Sequence, residues 1–344
     1  MKYSEKVLTF GRVRAAAALV GVLSFVVACG PAGSGPSGRS DAVDDAAANV
    51  PADPPVSQRR VLEAIKDAAA IVKVPAGLRP GITEADKDTG FAILGAAGCL
   101  PSFSDTAVEV GNCIFGKQTA TRTMVIVGDS HASMWLPGFD QIGKRLGWKV
   151  INFNKVSCGA ASLEPFLYQE KRPYSECVAW HRWVIGEVKR LAPQLVVFTS
   201  AVDIGDQGNG EPSTPQIWQA GLTKTLSAVR SPGTERVVLG DIPYIKHSSS
   251  GAGPLCLSAH QRNMTACSAP ADQAILRDYQ RAEQAAAKAT GARYIDVTPW
   301  FCSARCWPVV DDIQIYSDWQ HITATYAKYL SGSVQESLAP ELHS

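Results

Sequence analysis

The chain has 344 residues, of which 46% are apolar and 19% are charged, and its formal net charge is +1. This composition is that of a globular protein, and the nearly neutral charge, without a basic cluster, argues against a nucleic acid as partner. After the N-terminal segments described next, about 285 residues remain, which is enough for one large α/β domain with an extension or for two small domains.

Residues 1–29 have the pattern of a bacterial export signal. Basic side chains stand at Lys2, Lys6, Arg12 and Arg14. The apolar run 15–27 that follows is shorter than the roughly 20 residues of a membrane-spanning helix. Val26-Val27-Ala28-Cys29 resembles the lipobox, in which signal peptidase cleaves before the cysteine and the cysteine carries the lipid. We therefore expect export with a lipid on Cys29; the alternative is an ordinary secretory signal.

Residues 30–58 are rich in Gly, Pro, Ser, Ala and Asp and contain scarcely any large apolar residue. Such a segment cannot bury enough surface to fold, so we expect a disordered tether. Residues 59–116 contain a helical pattern at Val61–Lys73 and a Pro/Gly-rich turn region. They do not follow the alternation of the rest of the chain, and we expect an N-terminal extension packed on a catalytic domain at 117–340.

Strand and helix patterns alternate through that domain. Short apolar, β-branched runs predict strands at Met124–Val127, Lys149–Phe153, Leu195–Thr199, Val237–Leu239 and Tyr294–Val297. Helix-length stretches lie at Ser133–Leu146, Cys177–Leu191, Thr214–Val229, Ala271–Thr290 and Ile322–Leu338. This order predicts parallel strands joined by right-handed crossovers, with helices on both faces of the sheet. The expected fold class is a three-layer α/β/α sandwich.

Eight cysteines follow Cys29, and an even number in an exported chain favours disulfides. Eight cysteines allow 105 connectivities, so the sequence does not fix the pairing. Their clustering along the chain favours nearest neighbours: Cys99–Cys113, Cys158–Cys177, Cys256–Cys267 and Cys302–Cys306. The Cys302-x-x-x-Cys306 spacing also fits half of a zinc site, but no second Cys/His pair at ligand spacing accompanies it. We expect no metal.

The residues that carry chemistry lie at the ends of predicted strands and before the last helix. Ser130 follows the first strand within Gly128-Asp129-Ser130, where its hydroxyl would be exposed at the edge of the sheet. Asp318 and His321 stand three residues apart near the other end of the chain. A serine nucleophile, a histidine base and an aspartate that orients the histidine form a catalytic triad. The alternative for Asp318 is a helix cap. No Gly-rich phosphate loop is present, and we expect no cofactor.

These motifs in this order resemble the SGNH superfamily of serine esterases and acyltransferases. The Gly128-Asp129-Ser130-His131-Ala132 form resembles, more specifically, the SGNH domains that are fused to bacterial membrane acyltransferase-3 proteins. The resemblance covers about residues 60–335 and includes Ser157-Cys158-Gly159 after the second strand, Asp241-Ile242-Pro243 after the fourth and Tyr316-x-Asp318-x-x-His321.

The resemblance implies a flavodoxin-like strand order, 2-1-3-4-5, with the ligand crevice at the carboxyl ends of the strands. It also implies that the backbone N–H groups of Ser130 and Gly159 form the oxyanion hole. Many SGNH enzymes supply a third donor from an asparagine in Gly-x-Asn-Asp, whereas this chain has Thr199-Ser200-Ala201-Val202-Asp203. A hydroxyl of Thr199 or Ser200 could replace that asparagine, or two donors could suffice. His131 is typical of the family, and we expect it to make a structural hydrogen bond.

The sequence therefore predicts an exported, lipid-anchored SGNH-type enzyme. It would act through an acyl-enzyme as an O-acyl esterase or O-acyltransferase on cell-envelope glycans or glycolipids, with a separately encoded membrane acyltransferase as a possible acyl donor. Transferase and esterase differ in whether a sugar hydroxyl or water resolves the acyl-enzyme, and the sequence does not distinguish them. The alternative is a non-catalytic envelope lipoprotein that keeps the fold as a glycan-binding or scaffolding module.

Overall fold

The computed structural model describes residues 55–202, 207–245 and 253–343. The expected export signal, the lipid-bearing Cys29, most of the tether and Asp203 lie outside these residues. The helices are α1 (Gln58–Asp67), α2 (Gly90–Ala97), α3 (Ser130–Leu146), α4 (Ser175–Leu191), α5 (Pro215–Ala228), α6 (Pro254–Ala259), α7 (Ala271–Ala274), α8 (Arg277–Thr290), α9 (Ala324–Tyr329), α10 (Ser331–Ser337) and α11 (Ala339–Leu342). The strands of the central sheet are β1 (Ile114–Gly116), β2 (Arg122–Gly128), β3 (Trp148–Asn154), β4 (Leu195–Thr199), β5 (Glu235–Leu239) and β6 (Arg293–Ile295).

The central sheet has the order β1-β3-β2-β4-β5-β6. Strands β2 to β6 are parallel, and taken alone they have the expected 2-1-3-4-5 order. Five residues of β4 are all buried, as are the last five of β2, because helices cover both faces. The predicted three-layer α/β/α fold is confirmed. All five parallel strands point their carboxyl ends to one edge, where the chemistry-bearing residues follow.

One strand of the central sheet was not expected. β1, at the end of the N-terminal extension, pairs antiparallel with β3 and so completes the edge of the sheet. The three residues of β1 are half-buried and too few to show a strand period in the sequence. The predicted strand at Tyr294–Val297 is also displaced, since β6 ends at Ile295 and Thr298 begins a 3₁₀ turn.

Two predicted helices are interrupted. The stretch Ala271–Thr290 forms α7 and α8, with Ile275 and Leu276 non-helical between them. Both side chains pack against the core, and their burial outweighs the propensity of the flanking sequence for a continuous helix. The stretch Ile322–Leu338 begins as a helix only at Ala324, after the Thr323 cap, and divides into α9 and α10 at Leu330.

The N-terminal extension is joined to the domain by specific contacts. Ser57 caps α1, whose residues Val61, Ala64 and Ile65 are buried in the common core. Arg60 and Arg79 form ion pairs with Asp311 and Asp312.

A third contact joins the extension to the C-terminal part of the chain. Asp88 accepts the N–H of Thr325 with its side chain, at 2.9 Å, and the N–H of Ala324 with its carbonyl, at 2.7 Å. The extension therefore caps α9, only a few residues after His321.

All eight cysteines after Cys29 are paired. The bridges are Cys99–Cys113, Cys158–Cys177, Cys256–Cys267 and Cys302–Cys306, as their clustering favours. Cys302 and Cys306 therefore offer no thiolates to a zinc ion. Within residues 55–343, apart from the two undescribed loops, no helix is long and apolar enough to span a bilayer.

Candidate active site

Ser130 is the first residue of α3, directly after the end of β2. Gly128 is required here because a Cβ at this position would lie 1.8 Å from the carbonyl oxygen of Thr199 on β4. Asp129 caps the helix: its Oδ1 accepts the N–H of His131 at 2.8 Å, and its two oxygens accept the N–H of Ala201 at 3.2 and 3.1 Å. Burial raises the pKa of Asp129 to about 6. The close approach and the cap fix the turn that presents the half-buried Ser130 at the sheet edge.

Asp318 and His321 form a hydrogen-bonded pair in the loop before α9. Oδ2 of Asp318 lies 2.7 Å from Nδ1 of His321. Its Oδ1 accepts the N–H groups of Gln320 and His321 at 2.8 and 2.7 Å. The aspartate is thus both a cap for the loop and a partner for the imidazole. Burial opposes ionisation of Asp318, but the bonds from His321 and these backbone groups outweigh it and hold its pKa below the usual value.

The other nitrogen of His321, Nε2, is buried and has no hydrogen-bond partner. The imidazole lies between two rings: Phe91 of α2 meets it edge-on with centroids 5.4 Å apart, and His131 does so at 5.2 Å. Because His131 follows Ser130 directly in α3, the second contact brings His321 to the start of that helix. The pairing of Nδ1 with Asp318 leaves Nε2 as the atom that would accept a proton.

A second histidine–aspartate pair lies beside the first. Nδ1 of the fully buried His131 is 2.6 Å from Oδ1 of Asp241, which follows β5. The other oxygen of Asp241 accepts the N–H of Val202 at 3.0 Å and the hydroxyl of Tyr244. Tyr244 in turn packs against Trp319, which is 37% exposed between Asp318 and His321. The expected structural hydrogen bond of His131 is therefore present, and its partner is ionisable.

Two contacts with α4, a hydrogen bond and a disulfide, hold the loop that contains Gly159, the expected oxyanion donor. Nε2 of His181 lies 2.7 Å from the carbonyl oxygen of Gly159, and Cys158 is bonded to Cys177. The two sulfurs and His181 Nε2 lie close enough together to suggest a metal site. They form none here, since both sulfurs are consumed by the disulfide.

The two candidate hydroxyls of the third block have different surroundings. Oγ of Ser200 accepts the N–H of Ala160 at 2.7 Å, next to Gly159, and its own hydrogen remains available to donate. Oγ1 of Thr199 is buried and has no hydrogen-bond partner. Both residues are nearly fully buried, at 2% and 1% exposure for Thr199 and Ser200. Of the two, Ser200 is the hydroxyl that contacts the Gly159 loop.

A partly open depression in the surface adjoins the same loop. Its lining is largely apolar and consists of Gly159, Ala161, Leu163, Glu164, Pro165, Cys177, Gln207, Ser213 and Trp218.

Sequence reasoning missed several residues of the site. It did not foresee the pairing of His131 with Asp241, the contact of Phe91 with His321 or the tie between His181 and Gly159. A carboxylate directly after β5 was one available signal, because the ends of parallel strands share an edge. Phe91 gave none. It reaches His321 because α2 packs closely on α3 at Gly90, where a Cβ would lie 1.8 Å from the carbonyl oxygen of Ser133.

Most of the chain matches a known family of domains. The family model described as "SGNH domain (fused to AT3 domains)" matches residues 98–336. No curated protein matches this chain in sequence.

Solved structures resemble the fold. The periplasmic domain of a lipopolysaccharide acetyltransferase from Salmonella ser. Paratyphi A has a TM-score of 0.57 at 15% identity, covering 79% of this chain and 99% of that one. A GDSL-like lipase from Bacteroides thetaiotaomicron has a TM-score of 0.41 at 12% identity, covering 64% and 88%. A carbohydrate acetylesterase family member from Sinorhizobium meliloti has a TM-score of 0.37 at 12% identity, covering 64% and 99%.

The family match spans more than half of the chain and includes Ser130, Asp318 and His321. The chain belongs to the family of SGNH domains fused to AT3 domains, and it is an SGNH-type serine hydrolase or acyltransferase.

Proposed function

We propose that the protein transfers or hydrolyses O-acyl groups of cell-envelope glycans or glycolipids, with Ser130, His321 and Asp318 as its catalytic triad. One observation carries the proposal. Asp318 fixes Nδ1 of His321, while Nε2 of the same ring is buried, unpaired and close to the helix start that presents Ser130. A histidine whose own orienting bond is made and whose second nitrogen is unpaired is suited to activate a serine.

In the first half of the reaction, Oγ of Ser130 attacks the ester carbonyl and its proton passes to Nε2 of His321. Asp318 stabilises the imidazolium that forms. The negative charge on the carbonyl oxygen is met by the N–H groups of Ser130 and Gly159 and by the hydroxyl of Ser200. Ser130 N–H lies at the start of a 17-residue helix, whose dipole favours negative charge there. The bond to the leaving alcohol then breaks, and that alcohol takes the proton from His321.

In the second half, water or a sugar hydroxyl attacks the acyl-enzyme. His321 removes the proton of the attacking group, the bond to Oγ of Ser130 breaks, and Ser130 regains a proton from His321. Hydrolysis and transfer thus share the acyl-enzyme and differ only in the group that resolves it. The apolar depression beside Gly159 would hold the acyl group in both halves.

The family match supports the acyl chemistry, and the sequence supports the place where it occurs. The lipobox-like Val26-Val27-Ala28-Cys29 and the four disulfides suit an exported protein tethered to the outer face of the membrane. Because SGNH domains of this family are fused to AT3 domains, we propose a membrane acyltransferase as the partner that supplies the acyl group.

A non-catalytic scaffold is the second candidate. The absence of the family's third-block asparagine favours it, since Thr199-Ser200 stands in that place. The formed Asp318–His321 pair opposes it, because a glycan-binding module has no need of an oriented imidazole with an unpaired nitrogen.

A fluorophosphonate serine probe distinguishes the two. We expect labelling of the wild-type protein at Ser130, identified by peptide mass spectrometry. Ser130→Ala should abolish both labelling and ester hydrolysis. His321→Ala should do the same, and the double variant should be little worse than either single one, because triad members act as a unit.

Ser333→Ala is a matched control, because this serine is buried in α10 and is none of the residues assigned to the site. It should be labelled like the wild type. Full labelling of Ser130→Ala would show that another residue reacts, and an unlabelled wild-type protein would favour the scaffold.

A further inference from the structure

Trp319 is an exposed aromatic residue in the loop that carries Asp318 and His321, and the proposed triad makes no use of it. All eight tryptophans lie within the described residues. Six of them are nearly fully buried and Trp183 is half-buried, whereas Trp319 is 37% exposed. A single exposed apolar side chain is ordinary on a protein surface, but this one lies beside the proposed general base and is held in place.

Contacts of the ring and of the backbone around it fix the orientation of Trp319. On its inner side the indole packs against the buried ring of Tyr244, with centroids 5.7 Å apart and planes at 35°. The N–H groups of the two residues after Trp319 both donate to Oδ1 of Asp318. The N–H of Ser317 donates to the carbonyl oxygen of His321 at 2.9 Å, which closes the loop. The exposed ring is therefore preorganised, and a ligand that binds to it costs little ordering of the protein.

The place of Trp319 beside His321 determines which part of a substrate it can contact. In the proposed reaction the leaving alcohol takes its proton from Nε2 of His321, and an accepting hydroxyl gives its proton to the same atom. The oxygen of that alcohol must therefore come within hydrogen-bond reach of the imidazole, about 2.6–3.2 Å. Trp319 and His321 are two residues apart, so their Cα atoms are separated by about 7 Å at most. The alcohol part of the ester is thus the part that lies next to the loop carrying the indole.

We propose that the exposed indole of Trp319 stacks on the sugar ring whose hydroxyl loses or receives the acyl group, and so selects sugar esters over esters of small alcohols. The proposal rests on the proposed function of the triad. The C–H groups on one face of a pyranose form a flat surface with a positive partial charge, which matches the negative face of an aromatic ring. Trp319 is thus a specificity-determining residue that takes no part in the proton transfers.

Hydrolysis of two esters that share an acyl group tests the role of the ring. The probes are an O-acetylated methyl hexopyranoside and ethyl acetate, and the measured quantity is the ratio of their kcat/KM values. Trp319→Ala should lower this ratio by roughly 10- to 30-fold, mainly through the KM of the sugar ester, because stacking holds substrate and transition state alike. Trp319→Phe keeps an aromatic face and should retain most of the ratio. The matched control is Tyr168→Ala, an exposed aromatic residue in the turn between two short strands, which should keep the wild-type ratio.

Binding of the same acetylated sugar to the full-length Ser130→Ala protein gives a second readout that needs no turnover. In an NMR titration, adding Trp319→Ala to this variant should raise Kd by roughly tenfold. An unchanged ester ratio in Trp319→Ala would overturn the proposal. So would a larger loss for ethyl hexanoate than for ethyl acetate, since the ring would then contact the acyl chain. A wild-type protein that hydrolyses neither ester would instead contradict the proposed function. The titration would then decide the role of Trp319, because equal binding with and without the indole would overturn it.

Discussion

At the scale of single residues, Asp318 has two tasks that the sequence presented as alternatives. Its Oδ1 accepts two backbone N–H groups, as a cap does, and its Oδ2 binds the imidazole of His321, as a triad member does. A carboxylate has enough lone pairs for all three bonds. The capping interpretation and the catalytic one are therefore compatible, and the capping bonds hold the carboxylate in the orientation that the imidazole needs.

Replacing Asp318 with Asn tests which task matters for turnover. The amide keeps an oxygen for the two backbone donors, so we expect a melting temperature close to that of the wild type. The amide NH2 then faces Nδ1 of His321 and donates there, so it can neither accept the imidazole N–H nor stabilise the imidazolium. Turnover should fall by orders of magnitude, about 10⁴-fold by the serine-protease precedent. A lower melting temperature with unchanged turnover would show that Asp318 is only a cap.

The third oxyanion donor gives a second residue-scale prediction. Ser200→Ala should lower ester turnover by roughly 10²–10³ with little change in KM, because the donor acts mainly on the transition state. Thr199→Val, which removes an equally buried hydroxyl that makes no hydrogen bond to the Gly159 loop, should retain wild-type turnover. If both variants turn over at the wild-type rate, Ser130 and Gly159 are the assigned donors and a slow transferase becomes the better description.

Ser130, Asp318 and His321 could be named from the sequence because each stands at a strand end or helix entrance, where local pattern and chemistry coincide. The pairing of His131 with Asp241 could not, since the two are 110 residues apart and their contact depends on the order of strands in the sheet. The choice between Thr199 and Ser200 needed the position of the Gly159 loop, which no local pattern contains.

At the scale of elements, the Gly159 loop depends on α4 for its position. The chain turns through Ser157, whose φ is +57°, directly before the Cys158–Cys177 bridge and the bond from His181 to Gly159. A non-glycine residue in the left-handed region is strained and persists only where its surroundings hold it. The disulfide and the hydrogen bond of His181 together hold Ser157 in this conformation, next to the proposed oxyanion hole.

Removing this bridge should therefore cost turnover as well as stability. Cys158→Ser with Cys177→Ser opens a loop of 19 residues, worth about 3 kcal/mol in the chain-entropy model, so the melting temperature should fall. Turnover measured well below that temperature should also fall, because the N–H of Gly159 loses its fixed position. Cys302→Ser with Cys306→Ser is the control: this bridge joins residues only 4 apart in sequence, and its loss should lower the melting temperature alone. Equal turnover in the two double variants would contradict the role of the loop.

Helix boundaries show how far the secondary structure could be predicted from the sequence. The ends of α3, α4 and α5 were predicted to within three residues, because caps and apolar periodicity agree there. The breaks at Ile275 and Leu330 were not predicted, since both lie within sequences that favour a continuous helix. The burial of these apolar side chains in the core determines where the helices break.

At the scale of the whole molecule, the alternation of strands and helices was sufficient to predict the layers, and the family resemblance supplied the strand order. Neither indicated that the N-terminal extension adds β1 to the sheet or Phe91 to the site. Both contacts join residues that are distant in sequence. The segments that make them show no hydrophobic periodicity from which the contacts could be predicted.

The proposed lipid anchor gives a prediction at this scale. Mass spectrometry of the mature protein should find an acylated Cys29 at its N-terminus, and the protein should separate with membranes. Cys29→Ala should appear in the soluble fraction and retain the fluorophosphonate reactivity of Ser130, because the described contacts of the domain begin at Val56, well after Cys29. A mature N-terminus downstream of Cys29 would indicate an ordinary secretory signal instead.

The bond between Asp88 and α9 also bears on how the proposed triad forms. Ser130 is synthesised long before His321, and the segment that follows His321 docks onto Asp88 by closing a loop of 237 residues, which is slow compared with local folding. If His321 is the base, a chain in which this last segment has not yet docked carries the nucleophile without its base. We therefore expect activity to appear only after this long-range contact has formed.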